Sequence, residues 1–240
     1  MTQVRQSYVI WYCPRVGSTL LAQTLEDLGI AGRPREWFEP AGVTGLLASG
    51  HELREAFWRE ATTSNGVLGI KYGMIAKRHA ELVALLGDWD AAFPNCKHVF
   101  LTRRDRVRLA VSWWRAIQSG EWHRPDREAL TAFDGPAGRA PRVMPPPDLV
   151  DRYDRNAIEH LIAEASEREA DIQTHLAASG VVPYTIVYED MIASYEATVR
   201  ALLEFLAVPG REAVTDIPAP AYAPLADAVT EAWCERFHRG

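Results

Sequence analysis

The chain has 240 residues, 48% of them hydrophobic and 24% charged, with a formal net charge of −6. That length suffices for one large domain or two small ones with a real core, and the composition is ordinary for a soluble globular enzyme. The acidic balance argues against a general nucleic-acid binder, which is usually basic, but leaves room for a local basic pocket.

The first apolar run, SYVIWYC (7–13), predicts a buried strand. It is too short to span a membrane, no small-residue cleavage site follows it, and no other segment approaches the roughly 18 apolar residues a span needs. No membrane insertion is expected. The cysteines, Cys13, Cys96 and Cys234, are odd in number and far apart, so they give no disulfide framework and no CxxC pattern. A reducing cytoplasm is the expected setting.

The run breaks into PRVGST and then into a helix over 18–29. Gly17, Ser18 and Thr19 therefore open a helix, where free backbone N–H groups and the dipole favour an anion. A glycine lets the backbone approach a phosphate, and the two hydroxyls add donors. The lysine of G-x-x-x-x-G-K-[ST] is missing, and the cation on offer is Arg15. The loop suits a mononucleotide phosphate better than ATP with Mg²⁺. An ordinary strand-to-helix turn with a serine cap is the plain alternative.

The stretch AGRPREWFEP then carries Glu36, Trp37, Phe38 and Glu39. Glu36 sits within reach of the mouth of such a site, or else pairs at the surface with Arg33 or Arg35. Trp37 can face an acceptor or the core. A helix over 51–62, a strand GVLGIK (66–71) ending on Lys71, and a helix over 75–87 follow. The strand KHVFLT (97–102) ends at Arg103 and Arg104, and a helix over 105–119 places Ser112 roughly two turns in. Arginines at a strand end with a serine from the next helix form a second phosphate clamp, or a solvated basic cluster. Of Trp113 and Trp114 at most one should face the sheet, and the other, or Arg115, can line an acceptor pocket.

The span 120–147, rich in Pro, Gly, Arg and Asp, reads as a lid or acceptor-binding loop, or as a surface excursion without a role. A helix over 148–179, a strand VPYTIVYE (182–189) and helices over 195–207 and 225–238 complete the chain, and YED (188–190) at the strand end either helps shape a cofactor site or forms a structural corner. Strands alternating with helices predict a single α/β domain, spanning 1–240, with a central parallel sheet of four to five strands flanked by helices. Ligands of such sheets sit beyond the carboxyl ends of the strands. The histidines, at 51, 79, 98, 123, 160, 175 and 238, show no ligand spacing, so no metal site is indicated. His123, in the loop, is a minor alternative for a base.

A phosphate loop after strand one and an Arg…Ser clamp after a later strand resemble the sulfotransferase superfamily, with its P-loop-like fold. RVGSTLL with AGRPREWFEP, GIKYGM and TRRDRVRLAVSWWRAIQSGEW resemble more closely the bacterial family typified by trehalose 2-sulfotransferase. The stretch VYEDMIASYEATVRALLEFLAV (187–208) is similar to one common across sulfotransferases. The resemblance covers nearly the whole chain. It implies 3′-phosphoadenosine 5′-phosphosulfate (PAPS) as co-substrate, without a metal. Arg15, Gly17, Ser18 and Thr19 would bind its 5′-phosphosulfate, and Arg103 and Ser112 its 3′-phosphate. Arg104 is a less certain neighbour. Arg15 would also meet charge developing on the leaving group. Glu36 matches the family's general base, with Glu39, three residues on, as its competitor off the family position, and Lys71 matches a family lysine at a strand end.

The implied partner is a small-molecule acceptor with a free hydroxyl, a carbohydrate or a glycosylated or phenolic natural product. Relatives include dimers, so a homodimer is one arrangement open to the chain. Two departures stand out. Pro224-Leu225 replaces an Arg-Gln or similar polar pair, and Val16 replaces the usual serine. The rival readings are a small-molecule kinase of the P-loop superfamily, disfavoured by the missing lysine, and a degenerate homologue that binds nucleotide without turnover.

Overall fold

The structure, a computed structural model, describes residues 3–123, 149, 152–222 and 225–240, the side chains of residues 76 and 77 excepted. Most of the expected 120–147 loop, and Pro224, lie outside the described residues. Four strands, β1 (Gln6–Tyr12), β2 (Val67–Tyr72), β3 (Cys96–Thr102) and β4 (Tyr184–Val187), form one parallel sheet in the order β2-β1-β3-β4. The central strand β1 pairs on both edges, and its residues from Ser7 to Tyr12 are all buried. This is why it reads as a continuous apolar run instead of an alternating one.

Side-chain alternation along β1 splits the core in two. Tyr8, Ile10 and Tyr12 point to one face, with Leu21, Leu109, Leu202 and Trp233, while Val9 and Trp11 point to the other, with Phe57, Phe93 and Ile172. The first face is covered by α1 (Ser18–Asp27), α6 (Arg106–Ser119), α9 (Tyr195–Leu206) and α10 (Ala228–Arg239). The second takes α2 (Pro40–Leu47), α3 (Leu53–Ala61), α4 (Ala76–Leu86) and the short α5 (Trp89–Ala92). The long helix α7 (Arg155–Ala178) supplies residues to both clusters. Among the described residues no helix is long and apolar enough to cross a membrane.

The differences from expectation have local causes. Helix α2 starts with a proline at its first position, and α5 is capped by Asp88, whose side chain accepts from the N–H groups of Asp90 and Ala91. Both are too short to show a helical apolar period. Helix α7 begins at Arg155, not at 148, because the Asp154 side chain caps it through Ala157 N–H. The expected strand over 182–189 ends at Val187. Tyr188–Ala193 forms a helix, α8, with Glu189 and Asp190 in its first turn, where negative charge is favoured.

The strand order turns outward in opposite directions from β1 and β3, so the crevice lies between their carboxyl ends. The loops that start at Cys13 and at Arg103 meet there.

Candidate active site

The loop after β1 is held in two left-handed residues, Arg15 at φ 70° and Gly17 at φ 82°. A non-glycine residue in that region costs of order 1–3 kcal/mol and is kept only where its surroundings enforce it. Here Arg103 donates from Nη1 to the Arg15 carbonyl oxygen at 3.1 Å. Gly17 caps α1, and among the described residues no side-chain cap hydrogen bond is made at that helix start. Ser18 and Thr19 are buried in its first turn.

A Cβ at Gly17 would stand 2.7 Å from Tyr188 Cδ2. Gly17→Ala should therefore lower stability by about 1–2 kcal/mol from the backbone alone, with the collision in addition. Urea denaturation reads this, and an unchanged midpoint would contradict the geometry.

A cavity of about 630 Å³ opens over this loop, and its walls include Arg15, Ser18, Thr19, Glu36, Arg103 and Ser112. Arg15 donates from Nε to Ser112 Oγ at 3.0 Å and from Nη1 to the Trp122 carbonyl at 2.6 Å. Burial, then repulsion from Arg103, pushes the Arg15 guanidinium down to about 10. Arg103 is 8% exposed, lies 4.5 Å over the Tyr188 ring, and its buried Nε has no hydrogen-bond partner among the described residues. Glu189 Oε1 is 3.7 Å from that Nε, too far to satisfy it. Burial lowers the Arg103 pKa as well. Two guanidinium groups crowded at a helix start, one with an idle donor, form a site short of negative charge.

Glu36 is placed by the sheet. The chain at Arg35 bridges Ile70 in parallel fashion, and Lys71 N–H donates to the Arg35 carbonyl at 3.2 Å. Glu36 thus lies beside the end of β2. Lys71, buried at 2% exposure, sets Nζ 3.0 Å from Glu36 Oε1 and 2.7 Å from Thr19 Oγ1. The Tyr12 hydroxyl donates to the same Oε1 at 2.5 Å. The adjacent Lys71 charge holds the Glu36 carboxyl down at about 2 against the opposing effect of burial, helped by the Tyr12 hydrogen bond. Burial and then Glu36 push the Tyr12 phenol far up, so it stays a donor. The surface pairing considered for Glu36 is not formed. Arg35 pairs with Glu26, and Arg33 donates to the Glu60 carbonyl.

The competing groups fare differently. Glu39 also lines the cavity but pairs with Arg78 at 2.8 Å. His123, exposed at the rim by area yet crowded by the wall, is pushed down to about 3 by desolvation, then by Lys71 and Arg15.

Two residues expected at the acceptor are elsewhere. Trp37 is 3% exposed in the core, its indole N–H on the Arg33 carbonyl at 2.8 Å. Arg115 is buried against the C-terminal segment, bonded to the Leu225 carbonyl, to Thr230 Oγ1 at 3.2 Å and to Asp227 at 2.7 Å. It braces the cavity wall from behind, and Leu225 lines the cavity. Of the tryptophan pair, Trp113 is in the core and Trp114 donates to the Arg152 carbonyl at 2.8 Å. Arg104 points outward to Asp190.

Tyr188 and Glu189 belong to the YED stretch at the end of the fourth strand, whereas Glu169 was not foreseen. Tyr188 packs under both Gly17 and Arg103. Glu189 accepts the backbone N–H groups of Arg104 and Asp105 at 2.9 and 3.1 Å, which fixes the start of α6 and with it Ser112. Buried Glu169 accepts from Thr102 Oγ1 at 2.8 Å, from Cys13 Sγ at 3.6 Å and from Arg106, tying together the ends of β1 and β3. The signal for Glu169 was available. The buried stripe Ile158, Leu161, Ala165, Glu169, Ile172, Leu176 of α7 contains one carboxylate.

The sequence pattern of the Stf0 sulphotransferase family matches residues 7–62 and 47–240. The chain is 25% identical to a trehalose 2-sulfotransferase of Mycobacterium tuberculosis over 278 aligned positions, covering 99% of this chain and 96% of the relative. It is 26% identical to a trehalose 2-sulfotransferase of Mycolicibacterium smegmatis, covering 97% of this chain and 94% of the relative. A solved sulfotransferase from Alicyclobacillus acidocaldarius superposes with a TM-score of 0.48 at 15% identity, over 98% of this chain and 92% of that one.

Proposed function

Since this chain belongs to the Stf0 sulphotransferase family and is a sulfotransferase, we propose that its donor is PAPS and its acceptor a hydroxyl of a carbohydrate or a glycosylated or phenolic natural product. The observation that carries the reading is the crowding of Arg15 and Arg103 over a helix start without a side-chain cap, with the buried Arg103 Nε unsatisfied among the described residues. Two linked anionic groups would relieve that electrostatic frustration. The residues fit the donor. The α1 amides with Ser18 and Thr19 would hold the 5′-phosphosulfate, and Arg103 with Ser112 the 3′-phosphate, as the resemblance implies.

The chemistry asked of the protein is positioning and charge stabilisation. Glu36 takes the acceptor proton, and the acceptor oxygen bonds to sulfur. The bond from sulfur to the phosphate oxygen breaks, leaving its electron pair on adenosine 3′,5′-bisphosphate. Arg15 faces the charge that gathers there. The relatives named for trehalose favour a sugar hydroxyl as acceptor. The aromatic rings of Trp122 and Tyr222 on the cavity wall are surfaces on which a sugar ring can pack.

Calorimetry tests the donor. Adenosine 3′,5′-bisphosphate should bind without added metal and Arg103→Ala should weaken it, while ATP·Mg²⁺ binds far less tightly. Tight binding of ATP·Mg²⁺ alone would replace this reading with the kinase one.

A further inference from the structure

We propose that Tyr12 and Lys71 are positioning residues for the transfer: by pinning one oxygen of Glu36, Oε1, they present the other, Oε2, to the acceptor hydroxyl, and Lys71 couples that carboxylate to the anion loop. The inference rests on Glu36 being the base. Both donors converge on Oε1, the Tyr12 hydroxyl at 2.5 Å and Lys71 Nζ at 3.0 Å. Among the described residues no hydrogen-bond donor is directed at Oε2. Lys71 is buried whereas the Glu36 side chain is 42% exposed and lines the cavity, which leaves Oε2 for the acceptor. Two fixed donors on one oxygen stop the carboxylate from turning about its last bond, and a general base needs that orientation before its strength matters.

Lys71 reaches further than the base. Its Nζ also lies 2.7 Å from Thr19 Oγ1, on the loop that would hold the sulfuryl donor. An anion at Thr19 competes with Glu36 for this one ammonium, because the two negative charges share it. The free enzyme therefore holds Glu36 ionised but weakly basic, and donor binding strengthens it. The base becomes competent only once the donor is in place. In the step itself the acceptor O–H proton moves to Oε2 as the acceptor oxygen bonds to sulfur. The displaced electron pair remains on the phosphate oxygen of the bisphosphate. The charged and titratable groups around Glu36 are Lys71, Tyr12 and His123, with Glu39 and Arg168 acting on Tyr12.

The test compares pH profiles of wild type, Lys71→Met and Tyr12→Phe, alongside calorimetry with adenosine 3′,5′-bisphosphate. In wild type, kcat/KM for the donor, which reports the unloaded enzyme, should show no acid limb near the ordinary carboxyl value of 4.5, and the limb in kcat should lie higher. In Lys71→Met the limb in kcat/KM should rise to 4.5 or above, and the gap between the two limbs should close. Tyr12→Phe, which deletes a single oxygen atom, should lower kcat while leaving bisphosphate affinity unchanged. Wild-type limbs in Lys71→Met together with wild-type kcat in Tyr12→Phe would overturn the proposal and leave the base assignment standing. Full turnover in Glu36→Gln would remove the base itself, and with it this inference.

Discussion

Glu36→Gln is expected to lower kcat by about 10²–10⁴-fold, the usual worth of a positioned general base, while adenosine 3′,5′-bisphosphate still binds. The amide is close to isosteric with the carboxylate, and its carbonyl oxygen can still accept from Tyr12 and Lys71 as Glu36 Oε1 does. The fold of the 33–39 segment does not depend on the carboxylate. It is anchored by the Arg35 bridge to Ile70, the pairing of Arg35 with Glu26 and the Trp37 hydrogen bond to the Arg33 carbonyl. What the substitution removes is the capacity to take a proton. Rapid-quench or steady-state turnover with an identified acceptor measures this directly. A variant with unimpaired kcat would shift attention to His123 or Glu39, the other carboxylate and imidazole on the same wall.

Arg15→Ala should also cut kcat deeply, by about 10²–10³-fold, the loss typical when one donor to a developing negative charge is removed. Its effect on bisphosphate affinity should be smaller. The distinction follows from where Arg15 stands. Its guanidinium is held by Ser112 Oγ and the Trp122 carbonyl, between the helix start and the cavity mouth, and its charge is strained by Arg103. On the proposed reading, negative charge that grows during the reaction would be met by this group more strongly than charge already spread over the bound donor. Arg15→Lys should not restore the rate, because a lysine cannot keep the fork of contacts to Ser112 and Trp122. A larger loss in bisphosphate affinity than in kcat would make Arg15 a plain anchoring contact.

The parts of this site that lie in one stretch of sequence were legible there, and those assembled across the sheet were not. Strand β1 and the loop after it declare themselves, because a run buried on both faces followed by a glycine and two hydroxyls has few other uses. Arg103 and Ser112 were legible for the same reason, being a strand end and the helix that follows it. The role of Lys71 could be placed only at a strand end. That it touches both Thr19 and Glu36 depends on β2 lying directly beside β1, a pairing that no local pattern specifies.

Trp37 and Arg115 show the opposite failure. Each side chain type suits a binding surface, but Trp37 packs under the Arg33 carbonyl and Arg115 is consumed by Leu225, Thr230 and Asp227, partners over a hundred residues away. The histidines illustrate the limit of spacing arguments as well. His79, His98 and His175 are far apart in sequence yet gather around Trp11, within ring-centroid distances of 4.6 to 5.9 Å of one another or of that tryptophan.

The central claim, transfer of a sulfuryl group from PAPS to a hydroxyl with Glu36 as base, is tested most directly by one labelling experiment. The protein is incubated with ³⁵S-labelled PAPS and a panel of hydroxyl acceptors that begins with trehalose and extends to other sugars, glycosides and phenols. Wild type and Glu36→Gln are run side by side. The account predicts a labelled sulfate ester and an equal amount of adenosine 3′,5′-bisphosphate with wild type, and neither above background with Glu36→Gln. Equal labelling by the two proteins, or transfer of a phosphoryl group from ATP in place of the sulfuryl group, would contradict it.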